Sequence, residues 1–561
     1  MYKEKVVAIT LLVLICATVL PLLSVPTNAV PDENTHIAAI ESYIAEEMRA
    51  NRIPGLSVGI VEDNEVVYLR GFGKADSQGR QITPQTSFII GSMSKSFTAL
   101  AIMQLVEAGK IKLDKPVQQY IPWFSLADPE ASTQITVRNL LNQTSGISNI
   151  AGLRQCVGTG DKSIEQAVQE LSKTELAHPA GTKFQYSNAN YVVLGLLVEA
   201  VSGEPYEQYI RENIFEPLEM YNSFTSQTEA TKNGMTAGYR RWFGLTVPSV
   251  LPYLHHGIPS GYIISSAKDM THFLIANLND GIYGDISILS PDGIAELHRP
   301  VAEAGSEFYG MGWVIGSFNG VPTIWHHGST PNYHSSMLIQ PEENRAIVVL
   351  TNVGLFEVWH IGLSRVIAEG IASILRDQSP SDYGSSIGTR YLIADIIIAV
   401  ITALVILFII LLPRWRRRLD AQPPEGNIAL ARRIILPLVV DFSWPLAILI
   451  GLPGITHIPS WSFWVLYQPD LTYWLIAIAS LTLFKAVTRL WLSYSVIRQV
   501  MGGLGGRNII LSAASVEVLF LALLFVVMFA TPSSSTFVIG LMALALLFET
   551  IAYPVRLTRT S

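Results

Sequence analysis

Read for its apolar and polar positions, the chain falls into two parts that follow different rules. Up to about Asp377 apolar residues recur at short periods. Ile37, Ile40, Ile44 and Met48 stand at helical spacing and predict an amphipathic opening helix. Leu56–Val61 and Val66–Arg70 flank the polar stretch Glu62–Glu65 and predict a β-hairpin. Far along the chain, Thr323–Trp325, Ser336–Ile339 and Ala346–Thr351 predict further strands, and an apolar helix follows near Val358–Leu375. Strands at both ends with helices between them predict an α/β domain over residues 31–377, its sheet fed from both ends. A Ser-, Pro- and Gly-containing linker is expected at 378–390.

Beyond Tyr391 the short periods give way to long apolar runs. They lie near 391–412, 434–454, 472–490, 508–530 and 536–553, each about the length that crosses a bilayer. This predicts an all-α transmembrane region of about five helices over 391–553 and a tail at 554–561. The charges between the runs set the expected orientation. Arg414, Arg416, Arg417, Arg418, Arg432 and Arg433 fill the first loop, Arg489, Arg498 and Arg507 the third, and Arg556 and Arg559 the tail. The loops around His457–Thr472 and Thr531–Ser535 contain no Lys or Arg. By the positive-inside rule the basic loops and the C-terminus are cytoplasmic, and the α/β domain is outside. The N-terminus predicts the same. Lys3 and Lys5 precede an apolar run from Val6 to Leu23 and then Thr27-Asn-Ala29, the layout of a secretory signal peptide over 1–29. An uncleaved anchor would export the domain equally well. Within the spans, Asp441, Lys485 and Glu517 are ionisable; an ion pair inside the bundle or snorkelling is the simplest reading, and a coupled sensor the sharper one.

Composition narrows the chemistry. A formal net charge of −7, with no Lys/Arg-rich run in the first 390 residues, argues against a nucleic-acid partner. Of two cysteines, Cys16 lies in the N-terminal apolar run, which leaves Cys156 alone in the α/β domain. It reads as a small apolar filler, and no Cys/His spacing predicts a metal site or calls for a cofactor.

Gly91-Ser-Met-Ser-Lys95 precedes an apolar helical run from Phe97 to Val106. Ser92 and Lys95, three apart, share a helix face at its N-terminus, where free N–H groups favour developing negative charge. A desolvated lysine with a lowered pKa can activate a serine. The spacing alone is ambiguous, because Ser265-Ser-Ala-Lys268 repeats it; there Ser266-Ala-Lys-Asp269 reads as a helix capping box. Two further motifs supply context. Tyr186-Ser-Asn188 is the chain's one Tyr-x-Asn, and it too precedes an apolar helical run. His326-His-Gly328 follows a strand-like segment, where glycine would let a substrate backbone approach; its copy at His255–Gly257 sits in a Pro-rich loop.

The order Ser92-x-x-Lys95, Tyr186-x-Asn188, His326-x-Gly328 resembles the three-motif signature of serine β-lactamases and penicillin-binding proteins, most closely the class C β-lactamase-related branch. Leu113-Asp-Lys-Pro-Val117, Ile135-Thr-Val-Arg-Asn-Leu-Leu141, Thr144-Ser-Gly-Ile147, Gly261-Tyr-Ile-Ile-Ser265 and Tyr309-Gly-Met-Gly-Trp313 match as well. The resemblance covers roughly residues 35–377. It implies an antiparallel sheet flanked by helices plus a helical subdomain. It also implies an acyl-enzyme on Ser92, with Lys95 and Tyr186 sharing the proton work. Asn188 would contact substrate or steady Lys95, and backbone N–H groups of Ser92 and Ser329 would form the oxyanion hole. Histidine at 326, where this signature often has lysine, offers no permanent cation to a substrate carboxylate. The expected substrates are therefore D-amino-acid peptides, β-lactams or esters. The competing expectation is a catalytically silent ectodomain that binds such a ligand and signals through the membrane bundle.

Overall fold

A computed structural model describes residues 36–157, 162–354, 362–383, 386–451 and 461–502. The predicted signal peptide, the expected spans at 508–530 and 536–553, and Glu517 lie outside these residues.

The opening helix α1 (His36–Ala50) buries Ile40 and Ile44, whereas Ile37, expected on the same stripe, is half-exposed in the first turn. The predicted hairpin is β1 (Gly55–Glu62) and β2 (Glu65–Gly73). Between it and the C-terminal strands come β3 (Ser87–Ile89), β4 (Tyr239–Trp242), β5 (Leu245–Pro248) and β6 (Ile264–Ser266). The last six are β7 (Ala302–Ala304), β8 (Glu307–Tyr309), β9 (Val314–Phe318), β10 (Val321–Thr330), β11 (Tyr333–Gln340) and β12 (Arg345–Thr351). Eight strands form one antiparallel sheet in the order β2-β1-β12-β11-β10-β9-β8-β7. Its join is β1 against β12, with Leu56 opposite Thr351 and Glu62 opposite Arg345.

Both faces of the sheet are covered, which explains the unbroken apolar run of β12. Ile347 and Val349 point to α1 and to α5 (Leu363–Ile374), joining Ile40, Ile44, Ile367 and Ile371. Ala346, Val348 and Leu350 point to the opposite core, which contains α2 (Ser94–Glu107), α3 (Asn188–Ser202) and α4 (Ala267–Leu278). Gly59 lets α4 sit close on β1, since a Cβ there would lie 2.4 Å from the Thr271 side chain. Phe97 of α2 stacks on Phe273 of α4 at 4.0 Å and meets Phe215 edge-on, which clamps α2 to the sheet layer. Burying each such ring contributes about 1.5–3 kcal/mol.

Past α5 the chain enters α6 (Ile387–Ala421), which starts inside the expected linker. Among the described residues two helices, α6 and α8 (Pro469–Gly502), are long and apolar enough to cross a membrane. Of the expected span at 434–454, residues 452–454 lie outside the described ones; Ala431 to Gly451 is one continuous helical run, α-helical over α7 (Leu436–Leu446) and π-helical on either side, with Pro445 inside α7. Lys485 does not snorkel. Its Nζ lies 2.9 Å from Asp441 Oδ1, and Arg489 pairs with the other oxygen at 2.5 Å, so one buried carboxylate holds two cations. Arg416 donates to the Leu492 carbonyl, bringing the Arg-rich end of α6 beside the far end of α8.

Candidate active site

Ser92 sits on a tight turn, Gly91–Met93, that runs directly into α2. Gly91 has φ +55°, which glycine adopts without a Cβ penalty, and this turns the chain sharply out of β3. Ser94 fixes the turn: its Oγ donates to the Gly91 carbonyl at 2.7 Å and accepts from the Ile263 N–H at 3.1 Å. Lys95 follows in the first turn of α2 and is fully buried. Its Nζ lies 3.0 Å from Ser92 Oγ, 2.7 Å from Asn188 Oδ1 and 2.6 Å from the Ser260 carbonyl. Burial pushes this amine down to about 7, an effect opposed by the neighbouring Cys156.

Asn188 opens α3, and its orientation is fixed from behind. The Nδ2 donates to Cys156 Sγ at 3.0 Å, so Oδ1 must face Lys95. Tyr186 lies two residues earlier, with its ring centroid 4.8 Å from Lys95 Nζ. The loop carrying it is held by Gln143, whose Oε1 accepts from the Ser187 N–H at 2.9 Å and from Asn190 Nδ2 at 2.6 Å. Gln143 itself has φ +59°, a conformation costly for a side chain with a Cβ and tolerated where surrounding bonds enforce it.

The third motif lies on β10. A Cβ on Gly328 would fall 1.9 Å from the Ile90 carbonyl and 2.4 Å from Ser335 Oγ. The glycine is therefore required by the protein's own backbone. Gly91 packs reciprocally, its missing Cβ pointing 2.7 Å from the Ser329 nitrogen. Residues 90–92 and 328–329 are thus pressed together, and the Ser92 and Ser329 backbones are neighbours. The ladder between β9 and β10 runs from Val314 opposite Trp325 to Phe318 opposite Val321, so residues 326–330 extend beyond it.

His326 is 2% exposed. Its Nδ1 lies 2.7 Å from the His327 carbonyl and its Nε2 3.2 Å from the Tyr309 hydroxyl, an arrangement that places the proton on Nδ1 and lets Tyr309 donate. Anchoring a substrate carboxylate would require His326 to give up Tyr309, and burial pushes that phenol well above its usual range.

The structure thus brings Ser92, Lys95 and Asn188 into direct contact, sets Tyr186 against Lys95, and packs Gly328 and Ser329 against the turn that carries Ser92. Ser265 is elsewhere. It is fully buried on β6, 2.8 Å from Ser223 Oγ, while Ser266 Oγ caps α4 by accepting from the Asp269 N–H at 3.1 Å. The second His-His-Gly is likewise committed: His255 pairs with Glu207, and His256 bonds the Gln155 carbonyl. Four participants escaped the sequence reading. Tyr309, Ser260 and Gln143 lie in or beside phrases that the family resemblance picked out, Gln143 immediately before Thr144-Ser-Gly-Ile147. Cys156 reads from the sequence as filler.

Comparison with known proteins gives a consistent picture. The family profile described as Beta-lactamase matches residues 40–362. Protein flp of Staphylococcus aureus (strain MW2) is 29% identical over 315 residues, covering 56% of this chain and 62% of flp's own length. Penicillin-binding protein 4 of Amycolatopsis lactamdurans is 27% identical over 335 residues, covering 58% of this chain and 87% of that protein. Among solved structures, the octameric penicillin-binding protein homologue from Pyrococcus abyssi superimposes with a TM-score of 0.54 at 31% identity. That match covers 62% of this chain and 78% of the homologue.

Proposed function

The chain belongs to the beta-lactamase family, and on that premise we propose that it is a membrane-anchored extracytoplasmic serine hydrolase acting through an acyl-enzyme on Ser92. One observation carries the reading. Lys95 Nζ has three partners, and a neutral amine has two N–H bonds and one lone pair. Asn188 Oδ1 and the Ser260 carbonyl can only accept, so they take the two N–H bonds. The lone pair is left for the Ser92 hydroxyl at 3.0 Å. With burial lowering its pKa to about 7, a large fraction of Lys95 is neutral near neutral pH.

In this reaction the Ser92 hydroxyl proton passes to Lys95 as Oγ attacks an amide or ester carbonyl. The tetrahedral oxyanion rests on the backbone N–H groups of Ser92 and Ser329; one such donor is worth on the order of a hundred- to a thousand-fold in rate. Collapse breaks the bond to the amine or alcohol, which leaves with the proton from Lys95, relayed through Tyr186. Water then attacks the acyl-enzyme, and the same groups take and return its proton. The extension of residues 326–330 beyond the β9 ladder supports substrate lying along that edge. His326, held by Tyr309, supports esters and peptides over ligands that need a carboxylate anchor. A binding-only ectodomain has no need of a desolvated lysine aimed at a serine.

The test is active-site labelling of the full-length protein with a fluorescent penicillin and a fluorophosphonate. Wild type and Ser265→Ala are expected to label with at least one probe, and Ser92→Ala with neither. Labelling that survives Ser92→Ala and disappears in Ser265→Ala would overturn the assignment.

A further inference from the structure

We infer that Gln143 is a positioning residue for departure of the leaving group: by holding the backbone on both sides of Tyr186, it aims that phenol at Lys95. The inference rests on the acyl-enzyme and the Tyr186 relay proposed above. Gln143 lies just past the short helix Val137–Leu141 and is fully buried. Two of its oxygens act on one segment. The backbone carbonyl accepts from the Gln185 N–H at 2.8 Å, and Oε1 accepts from the Ser187 N–H at 2.9 Å. In a β-ladder two residues of the neighbouring strand would supply that pair of acceptors. Here one residue supplies both, its side-chain oxygen standing in for the second carbonyl.

The consequence falls on the residue between the two anchored N–H groups. Ser187 is extended (φ −146°, ψ 124°), and along an extended chain successive side chains alternate in direction. With residues 185 and 187 both tied to Gln143, the segment cannot turn about its own axis, and the Tyr186 side chain keeps one direction. That direction sets its ring centroid 4.8 Å from Lys95 Nζ and 6.2 Å from the ring of Tyr309, which it meets edge-on. Oε1 also accepts from Asn190 Nδ2 at 2.6 Å, and Ser145 Oγ donates to Asn190 Oδ1 at 2.6 Å, so the first turn of α3 is fixed to the same loop. The left-handed φ of +59° costs Gln143 about 1–3 kcal/mol, a strain offset by the bonds it brings to this one segment. A phenol that swings off this line cannot pass the Lys95 proton on. Only substrates whose leaving group needs that proton would suffer.

The experiment compares kcat/KM of the full-length protein in detergent for p-nitrophenyl butyrate and trifluoroethyl butyrate, which form the same acyl-enzyme. p-Nitrophenolate departs as the anion. Trifluoroethoxide is more basic than a phenolate of pKa about 10 and takes a proton as it leaves. Because the ratio of the two is read within one protein, loss of folded enzyme cancels. In Gln143→Ala, and in Gln143→Met, which keeps the side chain's length, the aryl-to-alkyl ratio should rise about tenfold or more over wild type, as it should in Tyr186→Phe. The double variant Gln143→Met/Tyr186→Phe should show no higher ratio than Tyr186→Phe, since both changes remove one function. A ratio that rises in Tyr186→Phe and stays put in both Gln143 variants overturns the inference. So does a double variant whose effects multiply, or a wild type that turns over the aryl ester alone. If Tyr186→Phe leaves the ratio unchanged, the Tyr186 relay fails and the inference with it; if Ser92→Ala hydrolyses both esters like wild type, the acyl-enzyme reading fails.

Discussion

The proton economy of Lys95 can be tested by placing a charge beside it. Asn188→Asp keeps the shape of the side chain but sets a carboxylate oxygen where Oδ1 now lies, 2.7 Å from Nζ. At an effective dielectric of about 20 the bare attraction is about 6 kcal/mol. Relaxation and competing bonds reduce contacts of this kind to shifts of about one to three pKa units. The neutral amine is the reactive form, so in wild type the acylation rate should climb about tenfold between pH 6 and pH 8 and flatten above it, following a pKa of about 7. In Asn188→Asp the limb should move up to between about 8 and 10. At pH 7 the neutral fraction then falls from about one half to between about one tenth and one thousandth. The loss at pH 7 is roughly 5- to 500-fold and should be recovered as pH rises. Stopped-flow acylation by p-nitrophenyl acetate between pH 5.5 and 10.5 measures both limbs. Asn188→Ala, which removes an acceptor without adding charge, should not move the limb upward. A wild-type rate still climbing tenfold per unit above pH 9 would refute the reasoning, as would a limb unmoved by the aspartate.

Other consequences follow from separate parts of the molecule. Gly328→Ala forces a Cβ onto the Ile90 carbonyl, so it should cost about 1–3 kcal/mol in urea unfolding and depress acylation more than substrate binding. His298 is half-buried, edge-on against Trp313, and held down to about 4 by the desolvation of its ring, against about 6.5 unfolded. The unfolded chain binds a proton there that the folded chain refuses, so stability should fall as pH drops from about 6.5 towards 4. His298→Phe should flatten that slope in melting curves. Asp441→Ala leaves Lys485 and Arg489 buried without their carboxylate and should lower the melting temperature of the full-length protein in detergent, an effect of about 3–5 kcal/mol, which Lys485→Met in the same chain should partly reverse.

Much of this was legible in the chain. Strand periodicity at both ends gave the central strands, and the order of three motifs favours Ser92 over Ser265 as the expected nucleophile. What stayed hidden has physical causes. The Ser260 carbonyl that accepts from Lys95 is a backbone atom, and backbone acceptors leave no trace in side-chain pattern. Gln143 matters through its dihedral and its long-range bonds, neither of which spacing encodes. Strands β7 and β8 are three residues each, too short for alternation to register. The expected close approach of a substrate backbone to Gly328 is untested; the backbone that does approach it is that of Ile90. The C-terminal helices were the reverse case: hydropathy marked apolar stretches well, while the π-helical turns on either side of Leu436–Leu446 emerged only from geometry.

The pairing of β1 with β12 also governs how the molecule comes into being. β1 must wait for a partner from the far end of the domain, since the register runs from Leu56 with Thr351 to Glu62 with Arg345. Contacts this distant in sequence close late and slow folding. Until they close, β1 carries one satisfied edge, along β2, and one open row of N–H and C=O groups bordered by Leu56, Val58 and Ile60. A fragment ending before Arg345 cannot complete the sheet, however well its earlier helices have packed. The strand that ends this vulnerable interval is among the last parts of the domain to be synthesised, and α6 begins soon after it, at Ile387.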